Sequence, residues 1–253
     1  MSRQSSRVAL VTGASSGIGE ATVRSFIAAG HRVVGNARNA ERLASLESEL
    51  GGNFRGFAGD AADADVIEQL FETAEAHFGQ PADLVVVNAG RGLGGAVTTT
   101  DLSQFEALLR VNLAGAFRLI QAAANRFIPR AETEFPQKAF DIVAVGSVVG
   151  RNVSPFSAAY GSSKFALHSL VEALRREVGP KGVRVALVEP GFVVTGFQDA
   201  AGYSDDIVSA LKEKFGPPLV GEDIAEAIAH LVALPPHVNV SDIVVRPTRQ
   251  DYP

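Results

Sequence analysis

Short, wholly apolar runs alternate along this chain with longer stretches of helical spacing, and that alternation limits the fold more than any other feature. Residues 7–11, 32–35, 53–58, 84–87, 142–145, 183–188 and 243–245 read as strands. The stretch after Gly19 up to Gly30, then 41–50, 63–78, 102–128, 158–178 and 223–234, read as helices. In 63–78 the apolar positions Val66, Ile67, Leu70, Phe71 and Ala74 share one helical face, and Gly51-Gly52 and Gly79 stand where helices stop. Leu84-Val85-Val86-Val87 has no polar alternation, so its strand is buried on both faces, which is the pattern of a parallel sheet. Right-handed crossovers then place helices on both sides. The expectation is an α/β fold: a doubly wound, seven-stranded, mainly parallel sheet in a single domain over 1–253. Gly196, Gly202, Gly216, Pro217 and Pro218 interrupt every pattern between 191 and 220. That stretch is expected to be irregular and to act as a substrate lid, since long loops in compact domains are usually functional.

Composition removes several alternatives. With 46% hydrophobic and 20% charged residues, the 253-residue chain is neither disordered nor fibrous. A net charge of −5 and no basic run longer than a pair argue against nucleic acid as a partner. Absence of Cys excludes disulfides, thiolate chemistry and Cys-ligated zinc. The five His at 31, 77, 168, 230 and 237 show no metal-binding spacing, so no metal is expected. No apolar stretch nears the ~18 residues of a membrane span, and residues 1–6 do not read as a leader, so a cytoplasmic protein is expected.

Gly13, Gly17 and Gly19 fall between the first strand and the first helix, spaced G-x-x-x-G-x-G. Small residues there let backbone N–H groups and a helix N-terminus approach a pyrophosphate, whose charge the helix dipole favours. An NAD-selective site places an acid at the end of the second strand, roughly 20 residues on, for the ribose 2′-OH. Here that region reads Gly35-Asn36-Ala37-Arg38-Asn39, with no carboxylate before Glu41. Arg38 suits a 2′-phosphate through its planar fork, so NADP is the expected cofactor.

Tyr160 and Lys164, four residues apart at a helix start, share one face and can enter one cleft. A phenol of pKa near 10 is a poor acid/base at neutral pH, and a cation beside it is expected to lower that pKa by ~1–3 units.

Taken together, Thr12-Gly13-Ala14-Ser15-Ser16-Gly17-Ile18-Gly19, Asp60, Asn88-Ala89-Gly90, Asn112, Ser147, Tyr160-x-x-x-Lys164 and Pro190-Gly191 resemble the short-chain dehydrogenase/reductase family along essentially the whole chain. The resemblance implies a Rossmann sheet and a catalytic set of Asn112, Ser147, Tyr160 and Lys164. Tyr160 would transfer the proton, Lys164 would hold the nicotinamide ribose, Ser147 would bind the substrate oxygen, and Asn112 would support a water-linked relay. It also implies cofactor contacts from Gly13, Ser15, Ser16, Gly17, Ile18 and Gly19, and from Arg38. Asp60 would meet adenine, with Ala61 beside it, and Asn88, Ala89 and Gly90 would flank the cofactor. Pro190, Gly191, Val193 and Thr195 complete the implied set, with Thr195 at the carboxamide. Where the family often has a second Asn before Asn-Ala-Gly, this chain has Val87.

The implied activity is NADP(H)-dependent interconversion of a secondary alcohol and a carbonyl in a small-molecule substrate. An epimerase or dehydratase on the same scaffold, or a non-catalytic dinucleotide-binding regulator, are the alternatives. The resemblance also implies a homo-oligomer, dimer or tetramer, packed through helices 102–128 and 158–178. The tail from Leu234 to Gln250 is similar to a subgroup acting on 3-hydroxy acids such as serine. Arg91 and Arg151, each just past a strand end, either clamp such a carboxylate or point into solvent.

Overall fold

The computed structural model describes residues 6–252; residues 1–5, part of the end read above for a leader, lie outside them. Seven strands form one sheet: β1 (Val8–Thr12), β2 (Arg32–Ala37), β3 (Phe54–Ala58), β4 (Leu84–Val87), β5 (Asp141–Val145), β6 (Arg184–Pro190) and β7 (Asp242–Val245). Their spatial order is β3-β2-β1-β4-β5-β6-β7. Each of the pairings is parallel, so the sheet is wholly rather than mainly parallel.

Side-chain alternation on these strands builds two cores. Val8 and Leu10, Val85 and Val87, Ile142 and Ala144, and Val185 and Leu187 face one side. There they meet α3 (Ala64–Phe78), α5 (Ala116–Glu134) and α6 (Ala158–Val178). Ala9 and Val11, Leu84 and Val86, Val143 and Val145, and Ala186 and Val188 face the other. That side is covered by α1 (Gly17–Ala28), α2 (Ala40–Leu50) and α9 (Gly221–Ala233). Because the order reverses between β1 and β4, a cleft opens there beyond the carboxyl ends of the strands.

The opposite, amino-terminal ends are tied by buried charge. Arg7 donates from Nε to Asp83 Oδ1 at 3.0 Å and pairs with Asp141, while Arg184 Nε meets Asp141 Oδ1 at 2.7 Å. These four side chains sit at the starts of β1, β4, β5 and β6. Such a pair stabilises only when its remaining donors are used, and Arg7 Nη2 reaches the carbonyls of Asp83 and Ala139.

Two readings of local structure are corrected. The helix expected over 102–128 is α4 (Leu102–Leu109), a π-helical segment Arg110–Gly115, and α5, which runs to Glu134 with Pro129 inside it. The stretch 191–220 is not irregular: it carries α7 (Phe197–Ala200) and α8 (Asp205–Phe215). Its glycines and prolines punctuate these helices; Ser204 caps α8 and Gly216 follows its end.

Candidate active site

The turn from β1 into α1 is built by its glycines. Gly13 and Gly17 adopt φ of +70° and +53°, values that side chains resist. A Cβ on Gly19 would stand 2.1 Å from the Gly13 carbonyl. Ser16 precedes α1 without capping it through its side chain, so N–H groups of the first turn point outward unclaimed by a side chain, the arrangement that receives an anion. Thr12 ties this turn to the end of β4: its hydroxyl oxygen accepts the N–H groups of Asn88 and Ala89 at 3.1 Å each, and Asn88 Nδ2 donates back to the Thr12 carbonyl at 2.9 Å.

At the end of β2, Ala37 is buried and Arg38 is exposed on the cleft wall. Arg38 makes no hydrogen bond or ion pair among the described residues, whereas Arg42 is held by Glu20 at 2.9 Å. Asp60 pairs with Arg110 and accepts the Ala62 N–H at 2.9 Å, and these hydrogen bonds hold its carboxyl below the ordinary range. The glycine cradle and the open helix end fit the pyrophosphate of a dinucleotide, with Arg38 on the same cleft wall.

Tyr160 and Lys164 lie one turn apart at the start of α6. Lys164 is buried, donates from Nζ to the Val145 carbonyl at 2.8 Å, and stands 5.7 Å from the Tyr160 ring centroid. Burial lowers the lysine to about 8. Ser147, just past β5, lines the cavity together with Tyr160. Burial pushes the phenol above its usual range, and the nearby Ser147 hydroxyl only partly opposes this. The expected depression of Tyr160 by the lysine cation is therefore reversed: desolvation outweighs any field from Lys164.

Asn112 sits behind this group in the π-helical segment. Its side chain accepts the Arg91 N–H and donates to the Arg91 carbonyl, both at 2.9 Å, and donates to Ser163 Oγ at 3.2 Å. Such bulges often re-aim a functional side chain. Here Asn112 braces the loop after β4, and through Ser163, whose hydroxyl donates to the Tyr160 carbonyl at 2.7 Å, it braces the start of α6.

One cavity of about 460 Å³ gathers most of the expected residues. Gly13, Ser16, Gly17, Ile18 and Arg38 line one part, and Asn88, Ala89 and Gly90 the middle. Ser147, Tyr160 and Lys164 line another part, with Pro190, Gly191, Val193 and Thr195 above. Ser15, Gly19, Asp60, Ala61 and Asn112 are not on its wall. Thr195 packs on the glycine turn, where a Cβ on Gly17 would meet it at 3.1 Å.

Sequence reasoning expected a wall from 192–215 but named neither its aromatic side chains nor the tail as part of it. Phe197 stacks on Tyr160 at 5.4 Å between centroids, and Phe192 meets Phe215 at 6.1 Å. Gly92 makes room for that wall: a Cβ there would lie 2.7 Å from the Phe197 ring. Gln250 accepts the Phe192 N–H at 2.8 Å, Tyr252 donates to the Val153 carbonyl, and Asp251 pairs with Lys214 at 2.8 Å. The tail thus forms part of the cavity, and no local motif announces it.

Of the two readings of Arg91 and Arg151, the carboxylate clamp is not assembled, and both side chains are paired rather than free in solvent. Arg151 grips the fully buried Glu189 with two donors, one at 2.7 Å, and Arg91 donates to Gln104 at 2.8 Å. Among the described residues no cluster of His, Asp or Glu is placed to hold a metal, and no helix is long and apolar enough to cross a membrane.

The family model described as short chain dehydrogenase matches residues 7–205. An uncharacterised oxidoreductase of Staphylococcus aureus is 31% identical over 242 residues, 95% of this chain and 97% of its own. The closed form of serine dehydrogenase complexed with NADP+ superposes with a TM-score of 0.85 at 29% identity, covering 97% of this chain and 96% of that one. A 3-ketoacyl-(acyl-carrier-protein) reductase from Brucella melitensis complexed with NADH also gives 0.85, at 25% identity over 96% and 98%. With the matched model spanning most of the sheet, the glycine turn and the Tyr160–Lys164 pair, the chain belongs to the short-chain dehydrogenase family of oxidoreductases.

Proposed function

We propose that the protein interconverts a secondary alcohol and a carbonyl with NADP(H), using Tyr160 as the general acid/base. The observation that carries this is that Ser147, Tyr160 and buried Lys164 line the same cavity as the glycine turn. When bound, the nicotinamide supplies or accepts the hydride. Everything else falls to the chain. In reduction, Tyr160 gives its proton to the substrate oxygen while the Ser147 hydroxyl donates to the same oxygen; in oxidation both steps reverse. Burial keeps the phenol protonated at neutral pH, the form an acid needs. Lys164, at about 8, is mostly charged at neutral pH and favours the phenolate that proton loss leaves. Asn112 holds the loop and helix that carry these groups. The glycine turn receives the pyrophosphate, and Arg38 the 2′-phosphate, because no carboxylate stands at Ala37 to repel it. The NADP+ in the serine dehydrogenase relative supports that choice; the NADH in the reductase relative leaves the weight on Arg38. Residues 191–220 act as the lid, Thr195 and Phe197 being its inner face.

Tyr160→Phe tests the mechanism. It should retain fold and cofactor affinity yet lose roughly 10²–10⁴ in kcat, the usual worth of general acid–base catalysis. Turnover within a few-fold of the parent would reject Tyr160 as the proton donor. NADPH consumed in step with product separates this reaction from an epimerase or dehydratase, which would return its cofactor.

A further inference from the structure

Resting on the carbonyl–alcohol reading above, we infer that the substrate is neutral, with an apolar or aromatic group flanking its carbonyl, and that Phe197 packs on that group. The wall around the Tyr160 phenol supplies the argument. Phe192, Phe197, Tyr203, Leu211 and Phe215 all line the cavity. Aromatic faces on a cleft wall are costly to leave in water and favour an apolar or aromatic occupant. Phe197 already holds the tilted arrangement of an aromatic pair against Tyr160, 58° between planes at 5.4 Å.

The pairing of the polar side chains points the same way. Among the described residues the lining cations are Arg38, Arg91 and Lys164, and no carboxylate lines the cavity. Arg38 ends β2, and β2 lies three strands from β5, about 14 Å at ~4.8 Å per strand. Arg91 donates to Gln104, which is outside the cavity wall. Lys164 gives one N–H to the Val145 carbonyl and stands beside the Tyr160 ring, at the reacting centre rather than at the flanking group. Arg151, which a carboxylate would otherwise seek, is neutralised by Glu189. Both ends of Gln198 are also used, Nε2 on the Val193 carbonyl at 2.6 Å and Oε1 on the Thr195 N–H at 3.1 Å. A substrate carboxylate packed on the Phe192, Phe197 and Phe215 side of the wall would lose its hydration without the ion pair that Arg151 gives to Glu189 instead, which costs more than it returns.

The test compares acetophenone, methyl 4-acetylbenzoate and 4-acetylbenzoate with the full-length protein and NADPH. The two neutral ketones should have kcat/KM within about tenfold of each other, and the carboxylate should fall at least about tenfold below its methyl ester. Phe197→Ala should raise KM for acetophenone by about tenfold, with a much smaller rise for butanone, because an aromatic contact is lost only with the former. Phe197→Leu should recover part of the loss, which a change confined to folding would not show. Turnover of the carboxylate equal to or above its ester, or equal effects of Phe197→Ala on both ketones, would overturn the inference and leave the reaction intact. Failure of every carbonyl to oxidise NADPH would instead overturn the reaction, and the substrate class with it.

Discussion

Two side chains carry most of the specificity and pH argument at the scale of single residues. Arg38 is proposed from sequence because residues just past the end of the second strand face the ribose in such folds, and the structure puts it, exposed, on the cleft wall. Ala37→Asp with Arg38→Leu should lower the NADP:NAD ratio of kcat/KM by about ten- to hundredfold, since hydrogen bonds to charged groups are worth about 1.5–3 kcal/mol. Cofactor titrations check this, and a parent preferring NAD would refute it. His168 is the residue that sequence could not place. It accepts the Ser147 N–H at Nε2, 3.3 Å away, and its Nδ1 lies 3.7 Å from Glu189. Burial, then the charges of Lys164 and Arg151, lower it to about 4. The unfolded imidazole takes a proton near 6.5 while the folded one refuses it until about 4. Stability should therefore fall as pH drops from 6.5 to 4, by a few kcal/mol at most at ~1.4 kcal/mol per unit. Urea midpoints across that range should show the slope in the parent and a flatter line in His168→Gln.

Among the elements, the β1–α1 turn was readable because its glycines are demanded by local geometry. Gly19→Ala would drive a methyl group against the Gly13 carbonyl, 2.1 Å away, and 2.6 Å from Asn88 Nδ2. NADPH affinity, followed by fluorescence titration, should fall by tenfold or more, with melting showing that the sheet survives; unchanged affinity would mean the turn is not the phosphate cradle. The helix over 102–128 was readable in type but not in detail. A π-helical segment adds a residue to a turn without altering the apolar character of its surroundings, so periodicity passes over it. What the bulge achieves, the three hydrogen bonds of Asn112, depends on Arg91 and Ser163, which are distant in sequence. Similarly, α7 and α8 hide among glycines and prolines that read as loop.

At the scale of the molecule, the apolar residues that neither core covers are informative. Leu102 on α4, Phe117 on α5 and Phe165 on α6 remain 67%, 45% and 41% exposed. These helices are the ones expected to pack against a second copy, and exposed aromatic groups on adjoining helices suit an isologous interface. Light scattering at micromolar concentration should give a dimer or tetramer, and Phe117→Ser with Phe165→Ser should shift it toward the monomer mass. A parent that is monomeric throughout would refute the assembly.

The chain by itself determined the doubly wound sheet, the glycine turn, Arg38 and the Tyr160–Lys164 pair. Each is set by residues close in sequence, where period, turn geometry and one helical turn decide the outcome. Tertiary structure decided what depends on distant partners. Glu189 met Arg151 and so removed the carboxylate clamp. Phe197 and Gly92 closed the wall over Tyr160. The tail reached back across the cavity to Phe192 and Val153. Burial, which no local pattern measures, raised the Tyr160 phenol that the adjacent lysine had been expected to lower. The physical reason is common to all four: desolvation and pairing are set by which surfaces the folded sheet brings together, and sequence spacing does not encode them.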